Sequence, residues 1–245
     1  MSSAPKVFAI GFNKTGTTSL TAILKRYGLS TNHHGGWHFW TWKNEYHNFN
    51  KYDAYTDGQQ KDFRELEKKF PGSKYILNTR SLQSWLSSRW CHVETNKRTK
   101  RSKWTDNSKK ALISWAYSRD NYHADVLEYF KDRPNDFMVL DLQTMSSTEI
   151  FGGLNRILKG IAKKTLPIDS TIPKSNPTNN NLKSSSKKCV EEALNEIKMS
   201  EEDKKSNTVS QFFRDEKYSI EVEKAFYDAH KVKLFYQPYK KELRT

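Results

Sequence analysis

Short apolar runs alternate along the chain with longer segments in which apolar residues recur at helical spacing. The apolar runs predict strands at 6–10, 74–79 and 137–142. Helical spacing predicts helices at 17–27, 60–70, 81–92, 106–132, 148–161, 188–204 and 218–231. Strands that alternate with helices indicate an α/β fold of three layers, in which helices flank a central parallel sheet. Residues 31–56 show neither period and are predicted to be irregular and rich in aromatic rings.

A chain of 245 residues is expected to form a single domain over 1–245. Within it we expect a core at 5–180, an Asn/Ser/Lys-rich loop at 170–188 and a helical C-terminal segment at 188–245. Mean hydropathy is −0.90 and no apolar run approaches the length of a membrane span. The N-terminus lacks the pattern of a signal peptide, and two cysteines form no disulfide framework. These features predict a soluble, cytoplasmic protein.

The chain carries a formal net charge of +14, part of which is concentrated in one segment. Residues 89–110 contain eight Lys and Arg residues against only Glu94 and Asp106, a local balance of +6. Such a segment can steer an anionic ligand or bind nucleic acid without sequence preference. It can equally be a solvated loop, and the sequence leaves these alternatives open.

A tight polar turn follows the first predicted strand and leads directly into the first predicted helix. Glycines bound it at positions 11 and 16. Backbone N–H groups and the helix dipole of such a turn favour an anion. A Walker A loop has Lys directly after its second glycine, but here Thr17 stands there and the lysine lies inside the turn as Lys14. The turn therefore suits a compact 5′ anion better than a nucleoside triphosphate. The candidate ligands of this anion are Asn13, Lys14, Thr15, Gly16, Thr17 and Thr18.

A second candidate anion site follows the strand predicted at 74–79. Arg80 stands at its C-terminal end, and Ser88 lies eight residues later within the next predicted helix. Ligands of open α/β sheets bind beyond the carboxyl ends of the strands. Arg80 and Ser88 can together hold a second phosphate, the arginine through its fork of donors and the serine through its hydroxyl. The alternative is that Arg80 is an ordinary surface arginine.

The two motifs together resemble the sulfotransferases. KTGTTSL resembles their 5′-phosphosulfate loop, and TRSLQSWLSS resembles their 3′-phosphate motif. The likeness extends over roughly residues 5–180 and is greatest to a soluble branch of the family. It implies a P-loop-like fold, 3′-phosphoadenosine 5′-phosphosulfate (PAPS) as donor, adenosine 3′,5′-bisphosphate (PAP) as product, and no metal.

Sulfuryl transfer requires charge stabilisation and a base that accepts the proton of the acceptor. Lys14 can neutralise charge on the bridging oxygen of the departing nucleotide. Our first candidate for the base is Asp57, because the resembling branch uses an acidic residue at this place, usually in an Asp-x-Pro setting that is absent here. The alternative role for Asp57 is the N-cap of the helix at 60–70. His33 and His34 are the other candidate bases, since histidine titrates near neutral pH.

The acceptor is a hydroxyl or amine of a small molecule or glycan that the sequence does not identify. Eight aromatic residues between positions 37 and 55 either line its pocket or belong to the core. Two other functions stay open: a P-loop kinase, which the missing Walker lysine disfavours, and a basic protein that binds a polyanion or nucleic acid. No nucleic-acid-binding signature appears, so we expect no specific nucleic-acid partner and no membrane span.

Overall fold

The computed structural model describes residues 4–58, 63–99, 106–173 and 184–202. The predicted helix at 218–231 lies outside these residues, as does most of the predicted C-terminal segment. Contacts divide the chain into two compact units, 1–79 with 130–176 and 80–129 with 177–245. The expectation of a single domain is not tested by this division and stays a prediction.

Five strands form one sheet in the order β2-β3-β1-β4-β5. The strands are β1 (Val7–Ala9), β2 (Thr31–His33), β3 (Ala54–Thr56), β4 (Lys74–Thr79) and β5 (Phe137–Asp141). Every neighbouring pair is parallel. The interior strands are buried on both faces, as is typical of parallel sheets that helices cover.

Seven α-helices connect or follow these strands within the described residues. They are α1 (Thr17–Arg26), α2 (His38–Trp42), α3 (Phe63–Lys69), α4 (Leu82–Thr99), α5 (Lys109–Phe130), α6 (Ser147–Ile157) and α7 (Ser184–Glu202). A central parallel sheet flanked by helices confirms the predicted fold class. In the described part of the chain, no helix has the length and apolarity needed to cross a membrane.

Three sequence predictions about elements need correction. Residues 31–56 are not irregular, because they contain β2, β3, α2 and two 3₁₀ helices, Gly35–Trp37 and Tyr46–Lys51. Each of these strands has three residues and β2 reads Thr-Asn-His, so no apolar pattern marks it; pairing with distant strands forms it. The helix predicted to end at 92 continues to Thr99. The loop predicted at 170–188 is helical from Ser184.

The aromatic stretch contributes mainly to the core of the first unit. The Phe8 ring lies 6.0 Å from that of Trp37, 5.8 Å from that of Phe49 and 5.7 Å from that of Tyr55. These four side chains are fully buried. Tyr52 of the same stretch is 36% exposed. The three fully buried rings of the stretch therefore stabilise the sheet and do not line a pocket.

The second unit has its own buried interior, formed by α4, α5 and α7. Trp85 of α4 and Leu112 of α5 are fully buried, and α7 packs against α4. Arg89 lies over the rings of Trp85 and Trp115, at 5.5 and 4.6 Å from their centroids. Burial of its guanidinium lowers the pKa of Arg89 to about 10. Arg89 therefore packs as an internal residue and is not part of an exposed basic surface.

The strand order marks one place in the first unit where a ligand is expected. The chain leaves β1 towards β2 on one side of the sheet, whereas it leaves β4 towards β5 on the other side. Adjacent strands whose connections diverge leave a crevice at their carboxyl ends, where ligands of open α/β sheets bind. The loop 11–16 follows β1 at this point.

Candidate active site

The loop 11–16 begins where the backbones of β1 and β4 come too close for a side chain. Gly11 N donates a hydrogen bond to Asn78 Oδ1 at 3.0 Å. A Cβ on Gly11 would lie 1.9 Å from the carbonyl oxygen of Asn78. Only glycine fits at this position, so steric exclusion of any side chain explains the first glycine of the motif.

Asn78 of β4 holds the loop in its conformation. Its side chain is 1% exposed, and its Nδ2 donates to the carbonyl of Phe12 at 3.3 Å and to the hydroxyl of Thr15. The Thr15 hydroxyl in turn donates to the Phe12 carbonyl at 2.6 Å. The single proton of this hydroxyl is therefore used inside the loop. A contact between Thr15 and an anion stays a prediction.

The end of the loop presents the N-terminus of α1. Gly16, the N-cap of this ten-residue helix, has a φ of 84° and makes no side-chain capping bond. N–H groups of the first helical turn have no partner within the helix and favour anions. Lys14 also has a positive φ, 67°, which is uncommon for a residue with a side chain and recurs at functional sites. The loop is therefore shaped as the sequence predicted, with its lysine in the turn.

Asp57 lies beside the start of α1. It directly follows β3, the neighbour of β1, and its Oδ1 accepts a hydrogen bond from the hydroxyl of Thr17 at 3.0 Å. An N-cap residue typically has an extended backbone, whereas Asp57 has a φ of 64°. Its backbone does not fit the N-cap alternative, although residues 59–62 lie outside the described part. The structure thus brings the first candidate base to a threonine of the predicted anion loop.

His33 ends β2 and contacts three hydroxyl groups. Its Nε2 lies 3.3 Å from Thr18 Oγ1, and its Nδ1 lies 3.1 Å from Thr21 Oγ1 and 3.0 Å from Thr56 Oγ1. The Thr18 contact places His33 beside the same helical turn as Asp57. The two candidate bases therefore approach the start of α1 from the carboxyl ends of adjacent strands.

The available protons assign the tautomer of neutral His33. The Thr21 hydroxyl donates to the Thr17 carbonyl at 2.8 Å. The Thr56 hydroxyl donates either to Thr21 Oγ1 at 2.6 Å or to the Asn32 carbonyl at 3.2 Å. Both hydroxyl protons are then used, so the proton on the 3.0 Å contact with Thr56 comes from Nδ1. A neutral imidazole has one N–H, which leaves Nε2 as a proton acceptor.

The His34 side chain, by contrast, makes a hydrogen bond within its own turn. Its ring is exposed, and its Nδ1 accepts a hydrogen bond from the backbone N–H of Gly36 at 3.0 Å. This contact fits a local structural role. His34 therefore has less geometric support as a base than His33.

In the second unit, Arg80 contacts a serine that the sequence reasoning missed. The Arg80 side chain is mostly buried, and its guanidinium donates to the hydroxyl of Ser84 in the first turn of α4. Ser88 lies one helical turn further along the same face and is partly exposed. The i, i+4 spacing of the two serines was the available signal. Arg80, Ser84 and Ser88 thus form one polar row.

A family model described as Sulfotransferase domain matches residues 6–140. This match spans more than half of the chain and includes the loop 11–16, both candidate bases and the polar row. The chain belongs to the sulfotransferase family. Its reaction class is therefore the transfer of a sulfuryl group. No curated protein matches the sequence.

The described residues of this sulfotransferase contain no group of three or more His, Cys, Asp or Glu side chains that could hold a metal ion. The metal-free reaction itself stays a prediction. The start of α1, which has no side-chain cap, lies next in sequence to Lys14, Thr17 and Thr18. An anion bound there would pair with the lysine and accept hydrogen bonds from the helix N–H groups.

Asn78→Ala is expected to weaken binding of every nucleotide. The substitution removes the acceptor of Gly11 N and one of the two side-chain donors to the Phe12 carbonyl. A buried group left without its partner costs about 1–3 kcal/mol. Because the loop loses its support, affinity for adenosine 5′-phosphate and for PAP should fall by the same factor in titration calorimetry. Ser73→Ala, at the other end of β4, is the control for stability loss. Unchanged affinity for both nucleotides in Asn78→Ala would contradict this role.

Proposed function

We propose that this chain transfers the sulfuryl group of PAPS to a hydroxyl or amine of its acceptor by in-line displacement. The observation that carries the proposal is the carboxylate of Asp57, held 3.0 Å from the Thr17 hydroxyl at the uncapped start of α1. This arrangement supports the proposal, because sulfuryl transfer to an alcohol requires a proton acceptor beside the bound donor, and the start of a helix favours an anion.

The loop supports binding of the 5′-phosphosulfate end of the donor. The start of α1 has no side-chain cap, and the Lys14 side chain supplies a positive charge. The hydroxyls of Thr17 and Thr18 lie there beside Asp57 and His33. The lysine sits within the turn, so the Walker contact with β- and γ-phosphates is missing. We expect PAPS to bind in preference to a nucleoside triphosphate.

Arg80 and Ser88 are the proposed ligands of the 3′-phosphate, and Ser84 joins them as the residue that orients the guanidinium. An arginine whose NH2 group already donates to a nearby hydroxyl has fewer rotamers to lose when it binds a phosphate. Burial of the side chain also excludes water, so its charge acts with less screening. These features support the assignment that the motif first indicated.

The chemistry balances with groups of this chain. The acceptor oxygen forms a bond to sulfur while the bond between sulfur and the bridging phosphate oxygen breaks. The acceptor proton passes to Asp57, and the electron pair of the broken bond leaves on PAP, where Lys14 neutralises the charge. His33 is the alternative proton acceptor, because its Nε2 carries no proton in the assigned tautomer and lies beside the Thr18 hydroxyl. We expect the acceptor pocket to include Phe39 of α2, a ring that is 46% exposed.

Arg80→Ala is expected to raise the KM for PAPS about tenfold to a hundredfold and to leave kcat nearly unchanged. A charge-assisted contact contributes about 1.5–3 kcal/mol, and the 3′-phosphate is held alike in ground and transition states. Steady-state kinetics at varied PAPS test this. Arg156→Ala, which removes an exposed arginine of α6, is the matched control. A KM that stays at the wild-type value would show that Arg80 does not hold this phosphate.

The direct test of function is an acceptor screen with PAPS in EDTA, read by mass spectrometry for the addition of one sulfuryl group. Sulfation of an acceptor class without metal is the expected result. Phosphorylation of acceptors that requires ATP and Mg²⁺ would instead show a kinase. Salt-sensitive binding of nucleic acid, with no binding of either PAPS or ATP, would show a polyanion-binding protein.

A further inference from the structure

Arg119 is a fully buried arginine in the middle of α5, in the second unit. Its NH2 group donates a hydrogen bond to the backbone carbonyl of Arg80 at 2.7 Å. Its NH1 group lies 3.3 Å from Oδ1 of Asp120, which is also fully buried. Its guanidinium carbon lies 5.5 Å from the centre of the Trp85 ring. Three different groups therefore fix this side chain in one position.

Burial of a guanidinium carries a large desolvation cost, so it is an unusual means of stabilising a pair of helices. Removing an arginine and a carboxylate from water costs several kcal/mol per ion, and apolar residues of the same volume often stabilise an interior as well or better. Other interior positions of α5 are apolar, since Leu112 and Ala116 are fully buried. The target of Arg119 suggests a more specific role, because it is the carbonyl of the residue proposed to bind the 3′-phosphate.

Arg80 is held at both ends. Arg119 holds its carbonyl, and the Ser84 hydroxyl accepts from its guanidinium. The next residue, Ser81, immediately precedes α4, and its hydroxyl accepts a hydrogen bond from Ser84 N at 3.4 Å. The backbone on which the Arg80 side chain stands is thus fixed from α5, and its tip is fixed from α4.

We infer that Arg119 is a positioning residue that fixes the backbone of Arg80 so that its guanidinium meets the 3′-phosphate of the nucleotide. This inference rests on the proposed function. It predicts a selective effect: loss of Arg119 lowers the affinity for nucleotides with a 3′-phosphate and leaves the affinity for nucleotides without one unchanged. A purely structural role has no such selectivity.

The test compares PAP with adenosine 5′-phosphate in titration calorimetry, with the folded state checked by thermal melting. We expect Arg119→Gln to weaken PAP binding about fivefold to tenfold and to leave adenosine 5′-phosphate binding unchanged. Leu112→Ala, a cavity on the same helix, is the control and should lower the melting temperature without changing the ratio of the two affinities. Equal loss of both affinities in Arg119→Gln would overturn the inference.

Arg119→Lys provides the same test if Arg119→Gln does not fold. A lysine keeps the charge beside Asp120, but a single ammonium group cannot also reproduce the fork that reaches the Arg80 carbonyl. The ratio of PAP to adenosine 5′-phosphate affinity should again fall. Retention of the wild-type ratio in a folded Arg119→Lys protein would count against the role.

A double-mutant cycle separates this inference from the function on which it rests. If Arg119 acts through the Arg80 side chain, Arg80→Ala with Arg119→Gln binds PAP no more weakly than Arg80→Ala alone. Additive losses would mean that Arg119 acts independently. A wild-type protein with no preference for PAP over adenosine 5′-phosphate would instead overturn the proposed donor. Selectivity that falls in Arg80→Ala but not in Arg119→Gln would overturn the positioning role only.

Discussion

Asp57→Asn is expected to lower kcat about 10²–10⁴-fold, the contribution typical of a general base. Asparagine has the same size and keeps an oxygen that can accept the Thr17 hydrogen bond seen at 3.0 Å. It loses the negative charge and the basicity. Nucleotide affinity and melting temperature should therefore change little, so the loss should appear in turnover alone. Steady-state kinetics, PAP titration and thermal melting on one preparation measure the three quantities.

Two variants make the Asp57 experiment decisive. Asp53→Asn removes a carboxylate near the amino end of β3, where Asp53 accepts from Ser30, and should leave kcat unchanged. His33→Ala removes the competing proton acceptor and should reduce kcat much less than Asp57→Asn does. Near-normal turnover in Asp57→Asn, with activity lost in His33→Ala, would transfer the role to the Nε2 atom of His33. A collapse of melting temperature in Asp57→Asn would indicate a structural role.

Lys14→Ala is expected to lower kcat about 10²–10³-fold, the usual cost of removing one preorganised group that stabilises developing charge. Lys14 lies in the turn before α1, and in the proposed reaction it neutralises the charge that develops on the bridging oxygen of the donor. The backbone is not expected to relax, since alanine has the same Cβ at the φ of 67°. Affinity for PAP should fall much less than kcat.

Lys25→Ala is the matched control for Lys14→Ala, because it removes a lysine from the last turn of α1, the helix that follows the loop. Its kcat should equal that of the wild type. Lys14→Arg keeps the charge and should recover part of the activity. A rise in the KM for PAPS with unchanged kcat in Lys14→Ala would show that Lys14 binds the ground state and does not act in the transfer step.

The parts of this site that the sequence predicts are those encoded within one short segment. β1, the loop 11–16 and the start of α1 are contiguous, so apolar spacing and glycine positions predict them from local sequence. The strand β4 and the following Arg80 are predictable for the same reason. Asp57 could be placed by the resemblance, whereas its contact with Thr17 depends on β3 lying next to β1.

The parts that the sequence does not predict depend on pairing between distant segments. β2 and β3 have three residues each and form because β1 offers them a parallel partner, directly or through β3. The role of Asn78 as the support of the loop requires that β1 and β4 be adjacent. The contact of Arg119 with the Arg80 carbonyl joins positions 39 residues apart. No local pattern marks such contacts.

The most direct test of the donor assignment is calorimetric titration of the protein with PAP in EDTA, set beside ATP with Mg²⁺. A protein that binds PAPS should bind PAP without metal, more tightly than adenosine 5′-phosphate and more tightly than ATP with Mg²⁺. The absence of PAP binding in EDTA, or a clear preference for ATP with Mg²⁺, would contradict the account.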